Sequence, residues 1–317
     1  MDKLLLFDTS IGTDNIGDFI IMDYCRKYLS ETECGNMFVW QVPTHLEIGA
    51  TTHFYNKNAK YSILCGTNIL KTTLLVNRIW KLGMIDILKL KNICTMGVGW
   101  NNYTSFPVDP YTKFVYKRIL ANDMLLSVRD RYTEIRLKEM GIDNVIYTAC
   151  PTMWGLSPEH CNKIPKEKAS NVVASLTFYK HNVYRDRQML DILLRNYNTV
   201  YFFPQQYDDY DYIYNLGYID KVIMLKPSLS CYDDILAKGN IDFVGSRLHG
   251  GIRALNAGCR TIIISVDNRA TEIKKDTNLP VIEREDMDSL DNLINSKIET
   301  KLDMPWKNIT KWKNQFR

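Results

Sequence analysis

The residues best suited to chemistry lie in FVGSRLHGGIRALNAGC, residues 243–259. An apolar strand pattern ends at glycine and serine and a helical pattern follows, so Arg247 and His249 fall at a strand's carboxyl end. Ligands bind at this position in open α/β sheets. A helix amino terminus and a guanidinium favour carboxylates and phosphates, and His249 can exchange a proton near neutral pH. The segment predicts an anion and proton-transfer site. The structural alternative is that Arg247 pairs with a carboxylate and His249 caps the turn.

A second arginine has a similar setting in MLLSVRDRYTEIRL, residues 124–137. Arg129 follows an apolar strand pattern and precedes a helical one, which predicts another position at the carboxyl edge of a sheet. A salt bridge to Asp130 or Asp123 is an equally good interpretation of this arginine. Its role therefore stays open at the level of the residues alone.

The glycine-containing loop GTDNIGDF, residues 12–19, joins the first predicted strand to the first predicted helix. Gly17 permits a tight turn, Asn15 supplies a polar side chain, and Asp18 is a good helix N-cap. The loop matches neither GxGxxG nor GxxxxGK[ST], so it gives no support for a dinucleotide or Walker-type site. Contact with a ligand and a simple capped turn are both compatible with it.

Gln205 directly follows the predicted strand TVYFFP, residues 199–204. It either lines a ligand cleft or lies in a solvent-facing loop, and the loop is the favoured interpretation. The sequence has no HExxH, GxSxG or carboxylate-rich metal pattern, so we expect no metal and no cofactor. The remaining histidines, His45 among them, are expected at the surface.

Apolar runs alternate with helical patterns along most of the chain, which is typical of parallel sheets covered by helices on both faces. The strands are predicted at residues 4–7, 61–66, 92–99, 124–128, 144–149, 171–176, 199–204, 221–225, 241–246 and 260–265. The polar stretch 157–171 is typical of a linker. The pattern therefore predicts an α/β fold with two open domains facing a cleft, over residues 1–157 and 170–290. A further helix is predicted over 74–92.

Residues 291–317 form a separate C-terminal tail that is expected to be helical. Within its part 301–317, Trp306, Trp312 and Phe316 lie among five basic side chains. Packing of these aromatic rings on the first domain is the favoured interpretation, and contact with an anionic membrane surface is the alternative.

The composition of the 317-residue chain excludes several classes of protein. It is 45% hydrophobic and 24% charged, which excludes wholesale disorder, and a net charge of +4 is too small to indicate nucleic-acid binding. No run of 18 apolar residues occurs, and the start turns polar too soon for a signal peptide, so a cytoplasmic location is expected. Eight dispersed cysteines without a CxxC pair predict free, mostly buried thiols.

Three segments together resemble the polysaccharide pyruvyl transferase family. They are GSRLHGGIRAL (245–255), the strand end SVRD (127–130) and the N-x-GD segment (15–18), and the resemblance runs in order from about Asp8 to about Ala270. It implies two Rossmann-like domains of glycosyltransferase-B type. It also implies transfer of an enolpyruvyl unit from phosphoenolpyruvate to a sugar, usually as a cyclic ketal that bridges two hydroxyls.

The resemblance assigns roles to individual residues. Arg129 matches the arginine of the family's SxR motif, and Arg247, Leu248 and His249 match its RLH triplet. By this match Arg129, Arg247 and His249 are catalytic. The implied donor-binding residues are Arg129, Arg247, Leu248, His249 and Gly250, and those expected in the loop or on the acceptor side are Asn15, Gly17, Asp18 and Gln205.

The resemblance also implies partners and a location. Phosphoenolpyruvate is the expected donor substrate, and the acceptor is a sugar of a bacterial capsule or exopolysaccharide precursor, free or polyprenyl-linked. A polyprenyl-linked acceptor would place the enzyme peripherally at the inner face of the plasma membrane. Two other functions stay open, namely a glycosyltransferase that uses a nucleotide sugar and a non-catalytic protein that binds sugars or anions.

Overall fold

The computed structural model describes residues 1–76 and 79–317, and the chain divides into two compact units. The N unit consists of Met1–Thr13, Ile21–Trp154 and Met304–Arg317. The C unit consists of Asp14–Ile20 and Gly155–Asp303. Each unit is an α/β structure built on one parallel sheet, as the sequence predicts.

The N unit is formed by the first part of the chain. Its elements are β1 (Lys3–Asp8), α1 (Ile16–Ser30, whose first turn belongs to the C unit), β2 (Phe38–Pro43), α2 (Ala50–Asn58), β3 (Tyr61–Leu70), α3 (Met84–Lys89), β4 (Ile93–Trp100), α4 (Pro110–Ile119), β5 (Leu126–Val128), α5 (Arg131–Glu139) and β6 (Val145–Tyr147). The strand order is β2-β1-β3-β4-β5-β6, and every pairing is parallel.

The central strands of the N unit are apolar because helices cover both faces of the sheet. All eight residues of β4 are buried, which explains why its run was predictable. The edge strand β2 was not predicted, because only Val42 is buried in it. The helix predicted over 74–92 is wrong in extent: α3 is its helical part, and residues 77–78 lie outside the described residues.

The C unit repeats the pattern. Its elements are α6 (Pro158–Lys163), β7 (Asn171–Ser175), α7 (Val183–Asn196), β8 (Thr199–Phe202), α8 (Tyr207–Leu216), β9 (Ile223–Met224), α9 (Leu229–Leu236), β10 (Ile241–Gly245), α10 (Leu248–Asn256), β11 (Thr261–Ser265), α11 (Asn268–Thr277), β12 (Val281–Glu283) and α12 (Leu290–Ile294). The order β12-β11-β10-β7-β8-β9 is that of a Rossmann sheet. The chain order reverses between β7 and β10, so this pair is the topological switch point.

The polar stretch 157–171 is not a linker throughout, because its first half forms α6. The Ser157 hydroxyl caps the helix by accepting a hydrogen bond from the His160 N–H at 3.1 Å, and Pro158 suits the first helical position. Cys161 and Ile164 are buried. A short helix with two buried residues among charged ones has too weak a periodicity to be recognised from sequence.

The C-terminal residues divide between the units. Residues 291–303 belong to the C unit, and α13 (Trp306–Lys313) belongs to the N unit. Trp312 is fully buried against Trp154, with 5.6 Å between ring centroids, and Phe316 packs edge-on against Tyr61.

Two findings apply to the chain as a whole. The eight cysteines are free thiols, and all but Cys231 are buried. Within residues 1–76 and 79–317, no helix has the length and apolarity needed to cross a bilayer.

Candidate functional site

The switch point of the C unit brings two strand ends into close contact. Gly245 at the end of β10 is in register with Ser175 at the end of β7. A Cβ at Gly245 would lie 2.5 Å from the Ser175 carbonyl oxygen, so the close approach requires glycine. The Ser246 N–H then donates to that carbonyl at 2.9 Å, and the chain continues through Arg247 into α10.

A small pocket, partly open to solvent, lies at this edge of the C unit. Its lining residues are Asn15, Gly17, Tyr179, Gln205, Ser246, Arg247, Leu248, His249, Ile264, Val266, Asp267, Arg269 and Ala270. The structure therefore brings together six of the residues predicted from sequence, namely Asn15, Gly17, Gln205, Arg247, Leu248 and His249.

Arg247 is buried, and its guanidinium is fixed by an ion pair. Nε donates to Asp209 Oδ2 at 2.9 Å and Nη2 donates to Asp209 Oδ1, so the pairing is bidentate. Nη2 also donates to Gln206 Oε1 at 2.9 Å. None of the bonds from Arg247 to the described residues uses Nη1. The pairing with a carboxylate that the sequence offered as the structural alternative is thus present. It fixes the orientation of the guanidinium, and Nη1 takes no part in it.

Asp209 is fully buried in the first turn of α8. It accepts backbone N–H bonds from Gln205 at 3.0 Å, Gln206 at 3.2 Å and Phe178 at 3.2 Å. Burial raises the pKa of the Asp209 carboxyl, and the opposing influence of Arg247 and these backbone groups favours its charged form.

Gln205 is 1% exposed, so the prediction that it lies in a solvent-facing loop is wrong. The reason is that its backbone is held from two sides. The Gln205 N–H donates to Asp209, and its carbonyl accepts the Ile16 N–H at 2.8 Å. Its side-chain Nε2 is buried, has no hydrogen-bond partner among the described residues, and lies against Gly250, where a Cβ would overlap it. A buried, unpaired amide donor at a pocket wall is a group that a ligand oxygen can satisfy.

The N-x-GD loop contributes one wall of the pocket. Helix α1 begins at Ile16, not at Asp18 as predicted, because Asn15 takes the capping position. Asn15 Oδ1 accepts the Gly17 N–H at 3.1 Å, and Asn15 Nδ2 donates to Asp18 Oδ2 at 3.2 Å. Asp18 thus lies in the first helical turn, beside the pocket-lining Asn15.

Among the pocket residues that were not predicted from the sequence, Asp267 and Tyr179 are linked through Arg269. Arg269 is held by Asp267, with Nε at 3.0 Å from Oδ1, and its Nη2 donates to the Tyr179 hydroxyl at 2.5 Å. The Tyr179 ring lies between two guanidinium groups, 5.4 Å from the Cζ of Arg247 and 5.8 Å from that of Arg269. As with Arg247, the bonds from Arg269 to the described residues leave Nη1 unused. The sequence did contain a signal for Arg269, because the segment SVDNR places this arginine just after the end of β11.

Arg129 lies in the N unit, after β5, and is 3% exposed. Its Nε donates to Asp130 Oδ2 at 3.1 Å, as one of the two interpretations predicts, and its Nη2 donates to the Tyr103 hydroxyl at 3.3 Å. The guanidinium lies flat on Gly99, where a Cβ would overlap it. Burial raises the pKa of Tyr103, which keeps its hydroxyl protonated as a donor to Asp130.

The N unit also has polar side chains after β2 and β3. His45 Nε2 lies 3.3 Å from Thr67 Oγ1, and burial and the charge of Lys81 lower the pKa of His45. His53 Nε2 lies 2.6 Å from Asp86 Oδ1. These histidines therefore have defined partners and are not simply surface residues.

Comparison with known proteins shows which family the chain belongs to. The model of the family described as polysaccharide pyruvyl transferase matches residues 15–268, which include both strand-end arginines and the whole RLHG segment. Among solved structures, the apo form of lipopolysaccharide outer core galactosyltransferase WaaB is similar at a TM-score of 0.45, with 11% identity over 100% of this chain and 95% of that one. No curated protein sequence matches. Because the family match covers most of the chain, this protein belongs to the polysaccharide pyruvyl transferase family.

Proposed function

We propose that the protein transfers an enolpyruvyl unit from phosphoenolpyruvate to two hydroxyls of a sugar, forming a pyruvate ketal and releasing phosphate. The observation that carries this proposal is the pocket at the switch point of the C unit. There Arg247, Arg269 and His249 line one small cavity at the amino terminus of α10. Two cations and a group able to transfer a proton match a donor that carries a carboxylate and a phosphate.

Donor binding follows from groups already in place. The amino terminus of α10 and Nη1 of Arg247 offer N–H donors to the phosphate, as helix termini commonly do. Nη1 of Arg269 and the buried Nε2 of Gln205 offer donors to the carboxylate. Leu248 lines the pocket, and Gly250 lies against Gln205. For Arg129 of the N unit, a donor-binding role is proposed only from its match to the family's SxR motif.

The chemical step places His249 as acid and base. It donates a proton to the methylene carbon of the donor, which becomes a methyl group and leaves an oxocarbenium-like centre at the adjacent carbon. The first sugar hydroxyl attacks this centre and gives its proton to His249. The bond between this carbon and the phosphate oxygen then breaks, and the second hydroxyl closes the ring while its proton leaves with the phosphate. Positioned proton transfer contributes about 10²–10⁴ in rate, and the arginines stabilise the departing phosphate. The reaction is balanced without a cofactor.

The acceptor is proposed to be a sugar of a surface-polysaccharide precursor that is carried on a polyprenyl lipid. The family is named for its action on a polysaccharide, which supports a sugar as acceptor. Asn15 and Asp18 are the candidate acceptor contacts, because they sit at the rim of the donor pocket on the N-x-GD loop. We propose that the enzyme works peripherally at the inner face of the plasma membrane.

The test is to incubate the purified protein with phosphoenolpyruvate and a panel of galactose, mannose and glucose acceptors, free and lipid-linked. The expected result is phosphate release together with an acceptor mass increased by one pyruvyl ketal. Phosphoenolpyruvate should also raise the melting temperature by mass action. If a nucleotide sugar raises the melting temperature and phosphoenolpyruvate does not, the protein is instead a glycosyltransferase. Stabilisation by the donor without any turnover across saturating acceptors would identify a binding protein.

A further inference from the structure

Helix α3 of the N unit exposes an apolar face. Met84 is 68% exposed, Ile85 61% and Leu88 64%. Positions 84, 85 and 88 of a helix lie side by side, so these three side chains form one continuous surface. Lys89 completes the same face.

The opposite side of α3 is fixed to the core. Ile87 is 3% exposed, and Leu90, just after the helix, is fully buried. Asp86 secures the first turn, because its Oδ2 accepts the Gly83 N–H at 2.6 Å and its Oδ1 lies 2.6 Å from His53 Nε2. A helix that is apolar on both sides is ordinarily buried all round. The outer face of α3 is therefore held in a fixed orientation, with its three apolar side chains 61–68% exposed.

Cationic groups border this apolar face. Arg118 of α4 donates from Nε to the Ile87 carbonyl at 2.7 Å and from Nη2 to the Leu88 carbonyl at 2.8 Å, so its charge sits at the carboxyl end of α3. Phe114, one turn earlier on the same side of α4, is 58% exposed. The one carboxylate of α3, Asp86, is on the buried side.

We propose that the outer face of α3 is a membrane-contact surface that binds anionic lipid bilayers. It consists of Met84, Ile85, Leu88 and Phe114, with Lys89 and Arg118 beside them. The apolar side chains would enter the boundary between headgroups and acyl chains, and the two cations would meet lipid phosphates. A second copy of this chain fits less well, because a two-fold contact between two such faces would bring four cations into one interface without a carboxylate of the face to pair with them.

The inference rests on the proposed function and deepens it. An acceptor carried on a lipid and an enzyme that binds the lipid surface would meet at the same membrane. Its test needs no turnover, so the two proposals can fail separately. Absence of ketal formation with every acceptor would remove the function and leave the vesicle result intact. Normal turnover with a failed vesicle assay would remove only the membrane contact.

The experiment measures co-sedimentation of the full chain with vesicles of phosphatidylcholine alone and with vesicles that also contain phosphatidylglycerol. The test variant is Met84→Ser/Ile85→Ser/Leu88→Ser, and Lys89→Glu tests charge with the apolar face intact. The matched control is Tyr184→Ser/Tyr207→Ser, which removes two equally exposed rings from the C unit. Circular dichroism and melting temperature establish that each variant is folded.

The wild type should bind the anionic vesicles and much less of it should bind the neutral ones, with binding weakened by salt. The triple variant should lose about tenfold or more in partition coefficient, Lys89→Glu about fivefold or more, and the control pair almost nothing. The proposal is overturned if the wild type does not bind anionic vesicles, or if the triple variant binds them as well as the wild type does. A triple variant that converts a dimer to a monomer in light scattering, with vesicle binding unchanged, assigns the surface to a second copy.

Discussion

Arg247 in the C unit and Arg129 in the N unit make an informative pair. Both are buried, and both pair with a buried aspartate. Arg129 directly follows the last residue of β5, and Arg247 is separated from the end of β10 by one serine. They differ in where the aspartate comes from. Asp209 belongs to another helix, α8, and its pair with Arg247 faces a pocket. Asp130 is the next residue after Arg129. One of its oxygens caps α5 by accepting a hydrogen bond from the Thr133 N–H at 2.7 Å.

The surroundings of the two arginines differ as well. Tyr103 and Gly99 enclose the Arg129 guanidinium, whereas Arg247 shares the Tyr179 ring with a second arginine, Arg269. A strand-end arginine is therefore not yet a binding site. What makes the C-unit arginine suited to a ligand is a partner that fixes two of its nitrogens, together with a neighbouring cation and histidine.

The largest effect is expected at His249, if proton transfer belongs to the C-unit pocket. His249→Gln should lower turnover about 10²–10⁴-fold while phosphoenolpyruvate still raises the melting temperature. The measurements are phosphate release and thermal shift. His160→Gln is the matched control, because its Nε2 lies 2.8 Å from the Leu255 carbonyl in the same unit, away from the pocket residues. Loss of donor binding in the His249 variant would make this residue a binding group instead.

The two ion pairs should also differ in stability. Arg247→Met leaves a buried carboxylate with only backbone donors at 3.0–3.2 Å, and should cost about 3–5 kcal/mol of unfolding free energy in urea titrations. Arg129→Met should cost less, about 1–3 kcal/mol, because Asp130 keeps the Thr133 N–H, the Thr133 hydroxyl at 2.6 Å and the Tyr103 hydroxyl at 2.8 Å. Equal losses would erase the distinction between the two pairs.

A glycine lies next to each arginine site, and replacing it with alanine should have a smaller effect that arises from steric overlap. Gly245→Ala forces a Cβ against the Ser175 backbone, which cannot rotate away, and should cost about 3 kcal/mol. Gly99→Ala meets the movable end of Arg129 and should cost about 1 kcal/mol, with a raised KM for the donor if Arg129 binds it. Gly49→Ala is the control, since its extended backbone has open space around it. A Gly99 variant less stable than the Gly245 variant contradicts this order.

How far the sequence reaches can be judged from the same residues. The strand before Arg247 was predictable because buried parallel strands are continuous apolar runs, and its position at a carboxyl edge followed. Its partner Asp209 was not predictable, because the ion pair joins residues 38 apart on different elements. Gln205 was misassigned for a related reason, since a backbone bond from Ile16, remote in sequence, holds it inside. Patterning thus predicts elements and their ends, whereas side-chain partners depend on which elements the fold places together.

The smallest expected effect concerns pH and the N-unit histidine His45. Burial and Lys81 lower the pKa of His45, so the folded protein favours the neutral ring. A lowered folded pKa means that the unfolded chain binds more protons near pH 6.5, so the stability due to His45 is present above that pH and is lost as the pH falls below it. His45→Gln should therefore flatten the decline in unfolding free energy between about pH 7.5 and pH 5, with the exposed His181→Gln as control. A slope as steep as that of the wild type would show that His45 is not held neutral. The carboxyl edge of the N unit would then carry a positive charge at this histidine, as the C-unit pocket does at its arginines.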